Sequence, residues 1–181
     1  MKKRVLHIVP HQHFDLVWRR TFDWYEQRRA ELYRQVMELL RTQPEFTFTF
    51  CQVWPIRRWL ERDPEMRREF SRWLRSGRIE IVGGTESICD LNMTAPAALD
   101  HNVQAGRQWL KEQFGYTVRA AAFEDAFGVS GQLPQLIQHW GYEFFKAGRM
   151  PRPGQNDISG DFRWRGLDGT VIKCISPGNR R

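Results

Sequence analysis

The sequence predicts an α/β chain built on a parallel sheet and closed in the manner of a barrel, and three observations carry that prediction. Short β-prone apolar runs alternate with longer segments of helical periodicity, which implies parallel strands joined by right-handed crossovers. Polar and ionisable residues recur just after the carboxyl ends of the predicted strands, the end at which parallel α/β folds bind ligands. The chain is also long enough: 181 residues with 41% hydrophobic content can bury a sizeable core.

The elements follow in order. Val5 to Val9 reads as a buried strand. From Asp23 to Arg41 apolar residues return at helical spacing (Tyr25, Leu32, Val36, Leu39, Leu40). Asp23 and Glu26 fit a capping box, and Thr42-Gln43-Pro44 ends the helix. Phe46 to Phe50 alternates Phe and Thr, a strand pattern. Pro55 opens a second helical region, broken at Asp63-Pro64 and stopped at Gly77. Ile79 to Val82 is the next strand, which Gly83-Gly84 breaks. A helix from about Ala95 to Phe114, a strand from Val118 to Phe123, a short helix from Leu133 to Trp140 and a strand from Tyr142 to Lys146 come next. A Pro/Gly-rich loop runs through Ser159, and two last strands flank Leu167-Asp168-Gly169, a hairpin signal in which Asp168 serves the turn.

Bulk composition narrows the functional classes. Mean hydropathy is −0.61, and no apolar run approaches the ~20 residues of a membrane span. Met1-Lys2-Lys3-Arg4 is basic, but the apolar run after it is too short for a secretory signal, which needs about 7–15 residues. A cytoplasmic location is the expectation. Cys51, Cys89 and Cys174 are odd in number and form no CxxC pair, so buried free thiols are expected, not disulfides or a thiolate zinc site. The net charge of +7 raises nucleic acid as a partner. The arginines, however, interleave with Glu at helical spacing, as in Trp54 to Arg78, the pattern of a solvated helix face. Nucleic-acid binding stays a minor alternative.

The organising stretch is Val9-Pro10-His11-Gln12-His13-Phe14-Asp15-Leu16-Val17-Trp18. Of the five histidines, His7, His11 and His13 cluster here. His13 and Asp15 are two apart, so in an extended turn they point to one side. An imidazole nitrogen and a carboxylate oxygen so placed suit a borderline metal such as zinc, although His-x-Asp is also common on solvated loops. If Asp90, in the loop after the Gly-Gly strand, shares that rim, it is a candidate ligand, nucleophile or both. Trp18 is a candidate platform for a sugar ring, with core packing the alternative. Asp125, after the next strand, is either a further rim carboxylate or a helix cap near Ser130. His11 orients the turn or serves as an outer hydrogen-bond partner.

These residues resemble the amino-terminal catalytic region of the glycoside hydrolase family 38 α-mannosidases. Pro10-His11-Gln12-His13-Phe14-Asp15 with Trp18 resembles the opening P-H-x-H-x-D-x-x-W. Gly77 to Gly84 followed by Asp90 resembles the segment leading to the nucleophile. Asp125-Ala126-Phe127-Gly128-Val129-Ser130 through Pro134 resembles D-x-F-G-x-S-x-x-x-P, and Phe162 to Gly169 resembles F-x-W-x-G-x-D-G. The similarity runs over nearly the whole chain, 1–181, as the amino-terminal part of a catalytic barrel.

The resemblance implies a parallel (β/α) barrel of the seven-stranded glycoside hydrolase/deacetylase type, with only about five strands in this chain. It implies retaining hydrolysis of terminal α-mannosides in oligosaccharides at a zinc site, Co2+ being another metal such a site accepts. By the resemblance His13 and Asp15 would be zinc ligands and Asp90 both ligand and nucleophile; from their place on the rim, Trp18 and Asp125 are expected as substrate-binding residues. The family's acid/base and its last zinc-ligating His lie further along than residue 181, and no histidine follows His139. A truncated or split enzyme, completed by a carboxyl-terminal part or by a homo-oligomer, is therefore expected. Thr85-Glu86-Ser87-Ile88-Cys89 precedes Asp90 where many relatives carry Trp, which leaves the exact substrate open. A metal-dependent polysaccharide deacetylase is the alternative enzyme, but its Asp-Asp pair and H-x-x-x-H spacing are missing. A non-catalytic glycan- or metal-binding fragment is the alternative outside enzymes.

Overall fold

The computed structural model describes residues 8–146, 148 and 160–176. The expected first strand lies partly outside these: residues 5–7, His7 among them, are not described, and Ile8 and Val9 are not in a strand. Among the described residues this part of the chain pairs with a neighbour at His11, in a parallel bridge to Thr49. Most of the Pro/Gly-rich loop before Gly160 also lies outside the described residues. Among the described residues no helix is long and apolar enough to cross a membrane.

The element order is α1 (Phe22–Thr42), β1 (Phe48–Gln52), α2 (Val53–Arg62), α3 (Met66–Arg75), β2 (Ile79–Thr85), α4 (Pro96–Phe114), β3 (Ala120–Ala122), α5 (Leu133–His139), β4 (Phe144–Lys146), β5 (Gly160–Arg165) and β6 (Val171–Ser176). The chain divides into two compact units: residues 1–50 with 58–80, and residues 51–57 with 81–181.

In the first unit the aromatic and aliphatic stripe of α1 meets an aromatic core. Tyr33 packs edge-on to Phe50 and to Trp59, each at 5.2 Å between ring centres, and Phe50 packs on Phe70 at 5.6 Å. Tyr33, Met37, Leu40, Phe50, Leu60 and Phe70 are fully buried. Helix α1 is capped by Thr21, whose side chain accepts from the Trp24 N–H, and not by Asp23. A threonine with extended backbone just outside the first turn meets the orphan N–H groups, while Asp23 already lies within the helix. Glu26, expected in that cap, is buried instead beside Arg29. The surface arginines do pair along and between helices: Arg28 with Glu31, Arg34 with Asp63, and Arg41 with Glu38 and Glu69. Strand β1 is buried at every residue, so its Phe/Thr alternation reflects cover on both faces and not a half-exposed sheet.

In the second unit β3, β4, β6 and β5 form a sheet in that order. β3–β4 and β4–β6 pair in parallel, and β5 pairs antiparallel to β6 through the Asp168 turn. The sheet is thus mixed, because a tight hairpin can return the chain only antiparallel. Asp168 accepts from the Thr170 N–H at 2.9 Å and the Thr170 hydroxyl at 2.8 Å, which bears out its turn role. Strand β2 pairs with β1. Gly83 and Gly84 do not break β2; the strand continues to Thr85 with both glycines at positive φ (+68° and +65°). A Cβ at Gly83 would lie 2.6 Å from the Ala122 carbonyl oxygen, and one at Gly84 would lie 2.6 Å from Val118 Cγ2. Only glycine permits both that backbone and that approach. Cys51, Val82, Ala120 and Ala122 form a buried cluster here, with Ile88 and Phe144 against it. Cys51 and Cys174 are buried free thiols, while Cys89 is only partly buried.

Candidate active site

In the first unit the chain from Gln12 to Arg20 is irregular and leads into α1. His13 and Asp15 do come to one side: His13 Nε2 lies 3.6 Å from Asp15 Oδ1, with side chains 30% and 38% exposed. Two donors bound to one tetrahedral zinc, each at 2.0–2.2 Å, sit roughly 3.4 Å apart. The pair's spacing and its nitrogen-plus-oxygen chemistry therefore fit a shared zinc. Among the described residues no three His, Cys, Asp or Glu side chains are gathered into a ready metal cage.

Trp18 is 67% exposed and carries the Arg19 guanidinium 4.3 Å from its ring centre. Trp18 is thus outside the packed interior of the described residues. A flat indole in solvent that already holds a cation on its π-face has the shape of a stacking platform. His11 is exposed and holds the turn through its main-chain bridge to Thr49.

In the second unit Asp90 follows the carboxyl end of β2. Its Oδ1 accepts from the Asn92 N–H at 2.8 Å and the Met93 N–H at 3.1 Å. These bonds fix the carboxylate's rotamer with one oxygen engaged. The segment before it is clamped by Asn102 on α4. The Asn102 side chain accepts from the Ser87 N–H at 3.0 Å, donates to the Ser87 carbonyl at 2.8 Å and reaches Cys89 Sγ at 3.4 Å. Its main-chain oxygen takes the Glu86 N–H at 3.0 Å. Glu86 itself pairs with Arg57. Burial nevertheless raises its carboxyl above the usual range, with Arg57 and His101 opposing.

Asp125 follows the end of β3 and holds φ at +57°, the only non-glycine among the described residues with positive φ. Such backbone is uncommon outside glycine, though Asp tolerates it better than most residues, and it marks a constrained turn. Near Ser130 the turn ahead of α5 is closed by Ser130 itself, whose Oγ accepts from the Gln132 N–H at 3.2 Å, and α5 begins without a side-chain cap. The loops of Asp90 and Asp125 meet: the Asn92 side chain lies directly against Gly128, where a Cβ would strike it. A cleft of about 590 Å³ opens beside them, lined in part by Leu91, Asn92, Thr94, Asp100 and Gln132.

The family model described as the glycosyl hydrolases family 38 N-terminal domain matches residues 3–177. The chain belongs to that family. It is 27% identical over 170 residues to α-mannosidase G of Dictyostelium discoideum, a match covering 93% of this chain and 16% of the relative. It is 27% identical over 195 residues to a putative mannosylglycerate hydrolase of Halalkalibacterium halodurans, covering 98% of this chain and 21% of the relative. Its fold superposes on the crystal structure of an α-mannosidase from Enterococcus faecalis V583 with a TM-score of 0.81 at 25% identity, over 93% of this chain and 19% of that one. The chain thus spans about a fifth or less of the length of the relatives it matches. The mixed α/β fold described above is that of the family 38 N-terminal domain.

In this family 38 domain several residues beside the predicted ones shape the loops. Arg29 and Asn102 escaped the sequence reading, and Glu26 reads there only as a capping residue, because charged and amide residues on a helix look like solvated surface until their neighbours are known. Glu124 and Lys146, at the ends of β3 and β4, form an ion pair with side chains 12% and 27% exposed. Nearby Cys51 is pushed up to about 12 by burial, with Glu124 adding to the shift, so it is no nucleophile at neutral pH. The one sequence signal for the first group was Glu26 and Arg29 spaced i, i+3 within an apolar stripe.

Proposed function

We propose that this chain is the amino-terminal part of a zinc-dependent retaining α-mannosidase. The observation that carries the reading is the His13–Asp15 pair, 3.6 Å apart, inside the P-H-x-H-x-D motif of a chain belonging to family 38. In this reading the two side chains hold zinc, with Asp90 as third ligand. Bound there, the metal supplies Lewis-acid anchoring of sugar hydroxyls. Asp90 is the nucleophile: its carboxylate, oriented by the Asn92 and Met93 amides, attacks the anomeric carbon as the glycosidic C–O bond breaks and the leaving oxygen takes the proton of the acid/base, and water then hydrolyses the resulting glycosyl ester. Trp18 stacks on the apolar face of the sugar, and Asp125 bonds its hydroxyls. A retaining mechanism also needs an acid/base about 5–5.5 Å from the nucleophile, a role the family resemblance assigns beyond residue 181. The strands described belong, in this reading, to one (β/α) barrel of the seven-stranded type.

The test is equilibrium zinc binding by the purified chain, wild type beside His13→Ala and Asp90→Ala. Binding that weakens at least tenfold in both variants supports the shared ligand set. Binding indifferent to both removes it. The relative named for mannosylglycerate makes that compound and an α-mannosyl oligosaccharide the two substrates to assay in the complete enzyme. Release of acetate from acetylated oligosaccharides without loss of mannose would replace the reading with a deacetylase.

A further inference from the structure

Helix α1 sets Tyr25, Arg29 and Tyr33 four residues apart on one face, and all three are buried (8%, 2% and 0% exposed). Each grips a different point of the loop that carries His13 and Asp15. The Tyr33 hydroxyl accepts from Gln12 Nε2 at 2.8 Å. Arg29 Nη1 donates to the main-chain carbonyl of Asp15 at 3.0 Å, and the same guanidinium stands 5.8 Å from the Phe14 ring centre. Tyr25 meets Phe14 edge-on at 5.9 Å, and its hydroxyl accepts from the Arg19 N–H at 3.4 Å. The loop is held from the helix side while the His13 and Asp15 side chains keep access to solvent.

Arg29 is the unusual member, a charge buried to 2%. Its Nη2 donates to Glu26, which is 6% exposed and is also approached by Arg62 at 3.1 Å and Arg58 at 3.8 Å. Burying such a pair gains little net stability over a well-packed apolar pair, so stability alone does not account for it. The planar guanidinium can hold Glu26 with one N–H group and reach the Asp15 carbonyl with another. A lysine ammonium has no such fork.

We propose that Arg29, held by Glu26, is a positioning residue that fixes the main chain at Asp15 and thereby sets how tightly the His13–Asp15 pair takes a divalent metal. The metal half of this inference rests on the zinc reading above; the loop half does not. Two variants of the full chain test it. Arg29→Lys keeps the charge and loses the fork. Glu26→Gln with Arg29→Met removes both buried charges together, so this variant keeps the fold even where the single change does not.

Amide hydrogen exchange across residues 12–19 reads the loop. Zinc competition against a chromophoric chelator, with the visible spectrum of the Co2+ form, reads the metal. We expect exchange in 12–19 to quicken tenfold or more, with the amides of α3 unchanged. Zinc affinity should fall about 10- to 100-fold, as for other groups that orient a ligand, and the Co2+ bands should shift. Unchanged exchange in the folded variants overturns the proposal whatever the metal does. Quickened exchange with unaltered zinc affinity overturns its metal half. If zinc binding of the parent chain survives His13→Ala, the zinc reading has failed and the metal half falls with it, while the exchange result still decides the loop half.

Discussion

Among the described residues, the segment before the loop holding His13 and Asp15 is paired by a bridge, His11 to Thr49, whereas the loop holding Asp90 leaves a seven-residue strand, β2. The first is ordered by long side chains reaching from α1: Tyr25, Arg29 and Tyr33. The second is ordered chiefly at the backbone, through two glycines at positive φ at its base and main-chain groups of Ser87 held by the short amide of Asn102. Side-chain tethers can be lost singly with a local effect. A backbone constraint is shared with the core and fails with it. The same task of holding a carboxylate still is therefore met by a separable device in one unit and an inseparable one in the other.

The largest expected effect lies in the second loop. In the complete enzyme Asp90→Ala should lower mannoside hydrolysis by ~10⁴-fold or more, the scale seen for removing a nucleophile. Turnover near the parent rate would take Asp90 out of the nucleophile's role. Next comes the base of that loop. Gly83→Ala adds a Cβ where only 2.6 Å separates it from the Ala122 oxygen, at φ +68°. It should cost ~3 kcal/mol or more. A urea midpoint unchanged from wild type would mean the backbone there yields more easily than the packing implies.

Asn102→Ala should cost about 2 kcal/mol, because it leaves Ser87 main-chain groups without partners. It should quicken exchange from Glu86 to Cys89, and the comparison sharpens if global stability falls with it, unlike in the Arg29 variants. A local change with no loss of stability would make the two loops alike after all. Trp18→Ala, at an exposed site, should change stability by no more than about 0.5 kcal/mol. It should raise KM for the mannoside about tenfold, the scale of one aromatic contact. An unaltered KM would end its part as a sugar platform.

The smallest effects are in pH, and they run in opposite senses. Glu69 in the first unit is hydrogen-bonded by Arg41, which holds its carboxyl below the ordinary value of 4.5. A depressed carboxyl contributes stability present above pH 4.5 and lost as pH falls through its folded value. Glu86 in the second unit is raised above 4.5, first by burial. Its contribution is present below that pH and is lost as pH rises through the folded value. Glu69→Gln should flatten the acid limb of stability against pH, and Glu86→Gln the limb just above pH 4.5. The same slope change from both variants would contradict this assignment.

Sequence alone determined the alternation of elements. Helical and strand periodicities report which face is apolar, a local property. The helices at Phe22–Thr42 and Pro96–Phe114 and the hairpin around Asp168 accordingly stand within one or two residues of expectation. Motif spacing also put His13 beside Asp15, since two residues of extended chain fix their relative side. What tertiary structure alone decided was the partner of each polar helix residue. Glu26 reads as a capping carboxylate but is buried against three arginines, and Asn102 reads as surface but holds the Asp90 loop. Gly83 and Gly84 read as a strand end, yet they lie inside β2, Gly83 close against the Ala122 carbonyl and Gly84 against the Val118 side chain. Most of these facts depend on residues fifteen or more positions away, and a local pattern carries no record of where the chain returns.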